Sequence, residues 1–316
     1  MKKLMTTLFS SVLALSLVAC GSDEEETTGG QDDTGSDDQT EESTDLPDEI
    51  VMGFVPSTDS DQIASTVEPL AERLSEEIGI PVDGRVMTNY SALVEAMGSG
   101  QVHVGFIPAF GYVLANERHD IEVILKSIRH GDDSYRAQYS VRADSGIENL
   151  EDLEGKVWAF PDVASTSGYL FPATQIRDMF GMTEDEFFGD LLETGSHDNA
   201  LITVLEGNAD VATTFEDARE TIEDDYPEVY DESNGLVQLD FTAAIPNDTI
   251  SVIHSLPADF VEDIRQAFLA FNDDEEMIDI MQTVYRWDGI AEAEDSEYDI
   301  VREAYSNFAD EVDPLE

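Results

Sequence analysis

Cysteine is almost absent from this chain. Only Cys20 occurs in 316 residues, which excludes an intrachain disulfide and a cysteine-based zinc site. Basic residues are nearly as scarce: 15 Lys and Arg stand against 71 Asp and Glu, a formal net charge of −56. Nucleic acid is excluded as a partner, because binding it needs a basic footprint, and adhesion to anionic lipid is disfavoured. Apart from His197, the histidines (His103, His119, His130 and His254) are scattered without metal-ligand spacing, so no metal and no cofactor is expected. No nucleophile elbow, His-Glu-X-X-His, Walker A or Gly-X-Gly-X-X-Gly motif is present. Carboxylates are so numerous that finding two together carries no information, so paired-acid catalysis has no support.

The apolar run from Leu8 to Ala19 follows Lys2 and Lys3. It is too short to cross a bilayer as a stable helix but suits a secretory signal. It ends in Leu17-Val18-Ala19-Cys20-Gly21, which resembles the bacterial lipobox, where the cysteine is diacylated after cleavage. The alternative is a buried thiol beside an ordinary cleavage site. The expectation is a signal peptide over 1–19 and a protein lipid-anchored through Cys20 to the outer face of the cell membrane. Residues 20–48 read as an acidic tether, since Asp23 to Asp48 holds no aromatic, Lys or Arg and cannot bury enough surface to order itself. Without the two leader lysines and the twelve tether acids, about −46 remains on the body. Self-repulsion on that scale is tolerable mainly where salt screens it, which points to a halophilic or haloalkaliphilic extracellular setting; the alternative is a merely acidic mesophile protein.

From Glu49 onward strand-like and helix-like segments alternate, the pattern of α/β layers. Strands are expected at Ile50 to Val55, Val82 to Met87, Val102 to Ile107 and Val123 to Lys126. Helices fall between them, at Ile63 to Ile78, Ser91 to Met97 and Phe110 to Asn116. Pro69 is expected to kink the first helix or mark its start. A second series begins near Ala137, with strands through Tyr139 and Val141, at Val157 to Phe160 and at Val211 to Phe215. Its helices are Asn149 to Leu153, Ser167 to Phe180 and His197 to Leu205. The total suits two lobes, 49–136 plus 250–316 and 137–249. A faint repeat relates Ser91–Met97 and the strand after it to Asn199–Leu205 and the strand after it.

Ser165-Thr166-Ser167-Gly168 lies between a strand and a long helix. Hydroxyls there cap free backbone N–H groups, or with those groups and the helix dipole they make a neutral anion cradle. Tyr90 reads as a core aromatic or a phenol donor, and Glu216 and Asp217 as a solvated helix start or as acceptors for a protonated oxyanion or an amine.

Ala164-Ser165-Thr166-Ser167-Gly168-Tyr169-Leu170-Phe171-Pro172 resembles a motif of the phosphate/phosphite/phosphonate-binding lipoproteins of ABC importers. Phe54-Val55-Pro56-Ser57, Thr88-Asn89-Tyr90, Asp144-Ser145-Gly146-Ile147, Gly195-Ser196-His197-Asp198, Phe215-Glu216-Asp217-Ala218-Arg219 and Ile245-Pro246-Asn247-Asp248 match in the family's order, over nearly all of 50–270. The resemblance implies a type II periplasmic-binding-protein clamp, two α/β lobes joined by two hinge crossings. It also implies a monomeric, non-catalytic carrier that delivers a phosphorus oxoanion to ABC permease subunits. Ser57, Tyr90, Ser165, Thr166, Ser167, His197 and Asp198 are its expected ligand groups, with Glu216 and Asp217 as acceptors. His197 would donate to an oxyanion and titrate near neutrality. Where relatives often have Gly-Pro-X-Ser-Tyr, this chain reads Ile107-Pro108-Ala109-Phe110-Gly111-Tyr112, so an aromatic face at Phe110 is expected in place of a cleft hydroxyl. The rival readings are the same clamp for another small anion or organic acid, and a secreted phosphoester hydrolase.

Overall fold

The structure, a computed structural model, describes residues 46–307. The proposed signal peptide, Cys20 and nearly all of the tether lie outside the described residues. Two mixed sheets organise the rest. The first contains β1 (Ile50–Phe54), β2 (Val82–Val86), β3 (Val104–Ile107), β4 (Glu122–Ile128), β10 (Thr249–Val252) and β11 (Gly289–Glu292), ordered β11-β4-β10-β3-β1-β2. The second contains β5 (Ser134–Arg142), β6 (Val157–Phe160), β7 (Asp190–Glu193), β8 (Val211–Phe215) and β9 (Leu236–Pro246), ordered β7-β6-β8-β5-β9.

The two sheets share one plan. β1 pairs in parallel with β2 and β3, and β6 pairs in parallel with β7 and β8. Beside each trio runs one antiparallel strand, β10 against β3 and β5 against β8. Each of these is the first strand after the chain crosses from the other sheet, at 129–133 and at 247–248. β1, β3 and β8 are buried throughout, which is why none of them alternates apolar with charged residues; β8 buries Thr213 and Thr214 within its run.

Nine α-helices are found among the described residues: α1 (Ser60–Ile78), α2 (Tyr90–Gly98), α3 (Ala109–His119), α4 (Phe171–Phe180), α5 (Glu184–Phe187), α6 (His197–Leu205), α7 (Ala258–Ala270), α8 (Glu275–Tyr285) and α9 (Asp299–Ser306). The repeat read from the sequence is structural: α2 leads through left-handed Gly100 into β3, and α6 through left-handed Gly207 into β8. Both glycines adopt positive φ, where a side chain is strained.

Three segments refine the sequence expectation. Of the two roles weighed for Pro69, marking the helix start is overturned: it lies inside α1, which starts at Ser60 with the Asp59 carboxylate accepting from the Gln62 N–H. Burial of Ile63, Val67, Leu70 and Leu74 on one face outweighs the single hydrogen bond a proline removes. The expected helix at Asn149–Leu153 is one 3₁₀ turn, Leu150–Leu153, closed by a capping box of Asn149 and Asp152. The helix expected from Ser167 is split into a π-turn over Thr166–Leu170 and then α4.

Candidate functional site

A cavity of about 410 Å³ lies where the carboxyl ends of the two parallel trios face each other, the usual ligand position of open α/β sheets. The first sheet's side contributes Val55 and Ser57 after β1, Tyr90 at the start of α2, Ile107 at the end of β3 and Pro108 after it. The second side contributes Ser165 and Ser167 after β6, His197 at the start of α6, and Phe215 at the end of β8.

The turn after β6 is built by its own sequence. Ser165 Oγ accepts from the Gly168 N–H at 3.0 Å, and the Ser165 carbonyl accepts from both Tyr169 and Leu170 at 3.1 Å. That widens the first turn into a π-turn and leaves the N–H groups of Thr166 and Ser167 without an intrahelical acceptor. Gly168 is required by close approach, since a Cβ there would sit 2.3 Å from the Pro161 ring. The pseudo-equivalent helices α2 and α6 are capped by the side chains of Asn89 and Ser196, and their first residues, Tyr90 and His197, face the cavity from opposite sides.

Five of the residues expected in the site do not line the cavity. Thr166 is fully buried and its Oγ1 accepts from the Phe110 N–H at 2.8 Å. The Phe110 ring, expected as an aromatic face of the cleft, packs instead against Tyr305 with centroids 5.0 Å apart. Asp198 accepts from the Thr221 hydroxyl and the Asp59 N–H, while burial pushes its carboxyl up to about 6. Glu216 is occupied by Arg136, whose backbone N–H and Nη2 donate to it at 3.1 and 2.9 Å. Asp217 is left-handed and stands 3.8 Å from His130.

Groups that the sequence reading passed over line the cavity instead: Arg129, Tyr135, Asp248, Tyr285 and Trp287. Arg129 and Asp248 lie on the two crossings, next to Tyr135 on β5. The Arg129 guanidinium is buried, 4.6 Å over the Phe215 ring and 5.6 Å over that of Tyr135. The cradle is therefore not purely neutral. The Tyr135 phenol lies in hydrogen-bonding reach of Ser167 and Thr166, with its pKa raised by burial and then by Asp248. Tyr285 donates to the Val55 carbonyl at 2.9 Å, and Trp287 stacks on Phe106 at 5.5 Å, which in turn stacks on Phe54 at 4.4 Å. For Asp248 alone there was a signal in the sequence: it closes the matching piece Ile245–Asp248.

The electrostatics follow from burial. Asp248 is pushed up to about 6 by desolvation, with Arg129 and Trp287 opposing the rise. His197 is pushed down to about 3, first by desolvation and then by Arg129, so it is neutral near physiological pH and does not titrate there. Tyr90 Oη, His197 Nδ1 and Arg129 Nε are buried and have no hydrogen-bond partner within the protein. All three belong to residues of this one cavity. At the mouth the sign reverses, with Glu220, Asp224 and Asp225 beside Arg286, which is ion-paired to Glu220.

Two α/β sheet systems, joined by two crossings and enclosing a cavity at the ends of their parallel strands, make this a type II periplasmic-binding-protein clamp. A solved binding-protein component of an ABC phosphonate transporter from Pseudomonas aeruginosa superposes with a TM-score of 0.74 at 21% identity, covering 81% of this chain and 85% of that one. PhnD1 of Prochlorococcus marinus, solved with methylphosphonate, gives 0.74 at 16% identity, covering 84% of this chain and 99% of that one. The phosphate-import protein PhnD of Mycolicibacterium smegmatis is 26% identical over 182 residues. That match spans 54% of this chain and only 56% of the relative's length. The family model described as "ABC transporter, phosphonate, periplasmic substrate-binding protein" matches residues 52–298. The chain belongs to that family.

Proposed function

We propose that this protein captures a phosphorus oxoanion (phosphate, phosphite or a phosphonate) outside the cytoplasm and presents it, without catalysis, to the permease of an ABC importer. The observation that carries the proposal is the convergence of three buried, unpartnered polar groups of Tyr90, His197 and Arg129 on one cavity, beside the N–H groups of Thr166 and Ser167, which have no intrahelical acceptor. Buried donors without acceptors are costly, and an oxyanion meets all of them at once. Arg129 supplies the charge-assisted bond. Asp248 faces the same space and accepts only from a ligand that carries a proton. A P–OH group meets that requirement and fully deprotonated sulfate does not. The acidic mouth repels anions at long range, so selection rests on these short contacts.

The hinges are the crossings at 129–133 and 247–248, between one lobe built on the first sheet and one built on the second. Cys20 carries the lipid anchor and the acidic tether holds the body clear of the membrane. A thermal-shift screen in molar salt tests the binding reading. Phosphate, phosphite or methylphosphonate should raise the melting temperature while sulfate leaves it in place. Stabilisation by organic acids alone would replace the proposed ligand, and turnover of a chromogenic phosphoester would replace the carrier by a hydrolase.

A further inference from the structure

Three helices that border the cleft have N-terminal N–H groups satisfied from its opposite side. α3 has Pro108 at its N-cap, a residue without a side-chain acceptor. The N–H of Phe110, in its first turn, is taken by Thr166 Oγ1 from the π-turn of the second sheet, 2.8 Å away. The first N–H of α2, on Tyr90, donates to Asp162 Oδ2 at 3.3 Å. In the opposite direction the first N–H of α6, on His197, donates to the Ser57 carbonyl at 2.9 Å. Each side of the cleft thus caps helices of the other.

We propose that Thr166 is a closure latch: its hydroxyl caps α3 across the cleft and holds the closed form, rather than touching the ligand. The inference rests on the reading that the protein works by opening and closing around its ligand. In an open form water satisfies the Phe110 N–H. In the closed form that N–H is buried, and among the described residues Thr166 Oγ1 is the acceptor it has. Phe110 and Thr166 come from different sheets, so the bond exists only when the two sides meet. Its free energy is therefore felt entirely by the open–closed equilibrium and reaches the ligand only through it. Thr166 stays within the Ser-Thr-Ser turn but does a different task from Ser165 and Ser167, which line the cavity.

Amide exchange at Phe110 is the direct test. An N–H in a helix's first turn ordinarily exchanges freely. In the wild-type protein that amide should gain protection when inorganic phosphate or methylphosphonate is added. If it stays unprotected while the cleft is occupied, the latch does not exist. Thr166→Val keeps the shape and removes the acceptor, whereas Thr166→Ser keeps the acceptor and removes the methyl group. Thr166→Val should lose the Phe110 protection and release the anion about ten-fold faster, with association changed by less than about two-fold. Thr166→Ser should retain both properties. Equal damage from the two variants, or a Thr166→Val protein with wild-type protection and release, overturns the proposal. If the wild type binds neither anion, the ligand reading has failed. The latch is then decided on the unliganded proteins, where Phe110 should exchange faster in Thr166→Val than in Thr166→Ser, and equal rates overturn it.

Discussion

Asp248→Asn separates what the cavity costs the fold from what it gives the ligand. The Asp248 carboxyl is displaced from its ordinary 3.8 to about 6 by burial, even with Arg129 and Trp287 pulling the other way. At about 1.36 kcal/mol per pH unit, keeping it ionised at pH 7.5 costs the unliganded fold about 3 kcal/mol. The sign follows from the direction of the shift. A carboxyl whose folded pKa is raised favours the fold below its unfolded value, and that advantage is lost as pH climbs from about 4 through about 6. Asn keeps the shape and cannot ionise. Asp248→Asn and wild type should therefore melt together near pH 4, and the variant should melt roughly 6 °C higher by pH 7.5. The opposing effect is the loss of a counter-charge for Arg129, small if water in the cleft solvates the guanidinium. Scanning calorimetry of both proteins from pH 4 to 8 reads the difference. A variant that melts lower at every pH would mean the two residues are a structural ion pair, and the reasoning from desolvation would be refuted. Titration with phosphate and sulfate adds a second reading: the variant should narrow the preference for phosphate, because an amide can donate to sulfate where a carboxylate only repels it.

His197→Ala should weaken anion binding by about ten-fold without altering the pH profile between 5 and 8, because the imidazole, pushed down to about 3, stays neutral throughout; isothermal titration at several pH values checks both. Melting temperature should rise steadily from low to molar salt as like-charge repulsion on a body of about −46 is screened, and a flat dependence would remove the halophile argument. Cys20→Ala should release a soluble protein that still binds the anion, and retention of that protein on membranes through the same segment would refute the anchor.

Much of the fold was legible because its signals are local. Buried strands such as Val211–Phe215 and helices opened by a capping side chain, as Ser196 opens α6, reveal themselves in short windows. The alternation was read as far as β8 except for α5 and β7, which were passed over, and the similarity of the segments around α2 and α6 foreshadowed the shared strand plan. The Ser165–Gly168 turn was legible for the same reason, but the division of labour within it was not. Whether a hydroxyl in a turn faces a ligand or a helix across the cleft depends on Phe110, 56 residues away. Arg129 had no signal at all. In an acidic chain a basic residue reads as a surface partner for carboxylates, and only the crossing at 129–133 turns it inward onto Phe215 and Tyr135. Tyr285 ends α8 and Trp287 follows it; both reach the cavity through long-range packing on Val55 and Phe106. The expectation for Glu216 failed to foresee Arg136, which β5 delivers beside it by antiparallel pairing with β8.

A crystal structure of the folded body grown with methylphosphonate or phosphate in molar salt tests the central claim most directly. The account predicts the anion's oxygens within about 3 Å of the Ser167 hydroxyl and N–H and of the Arg129 guanidinium, with Tyr90 and His197 donating from either side and Asp248 opposite a protonated oxygen. An anion seated at the acidic mouth, or a cleft closed without one under saturating ligand, would contradict it.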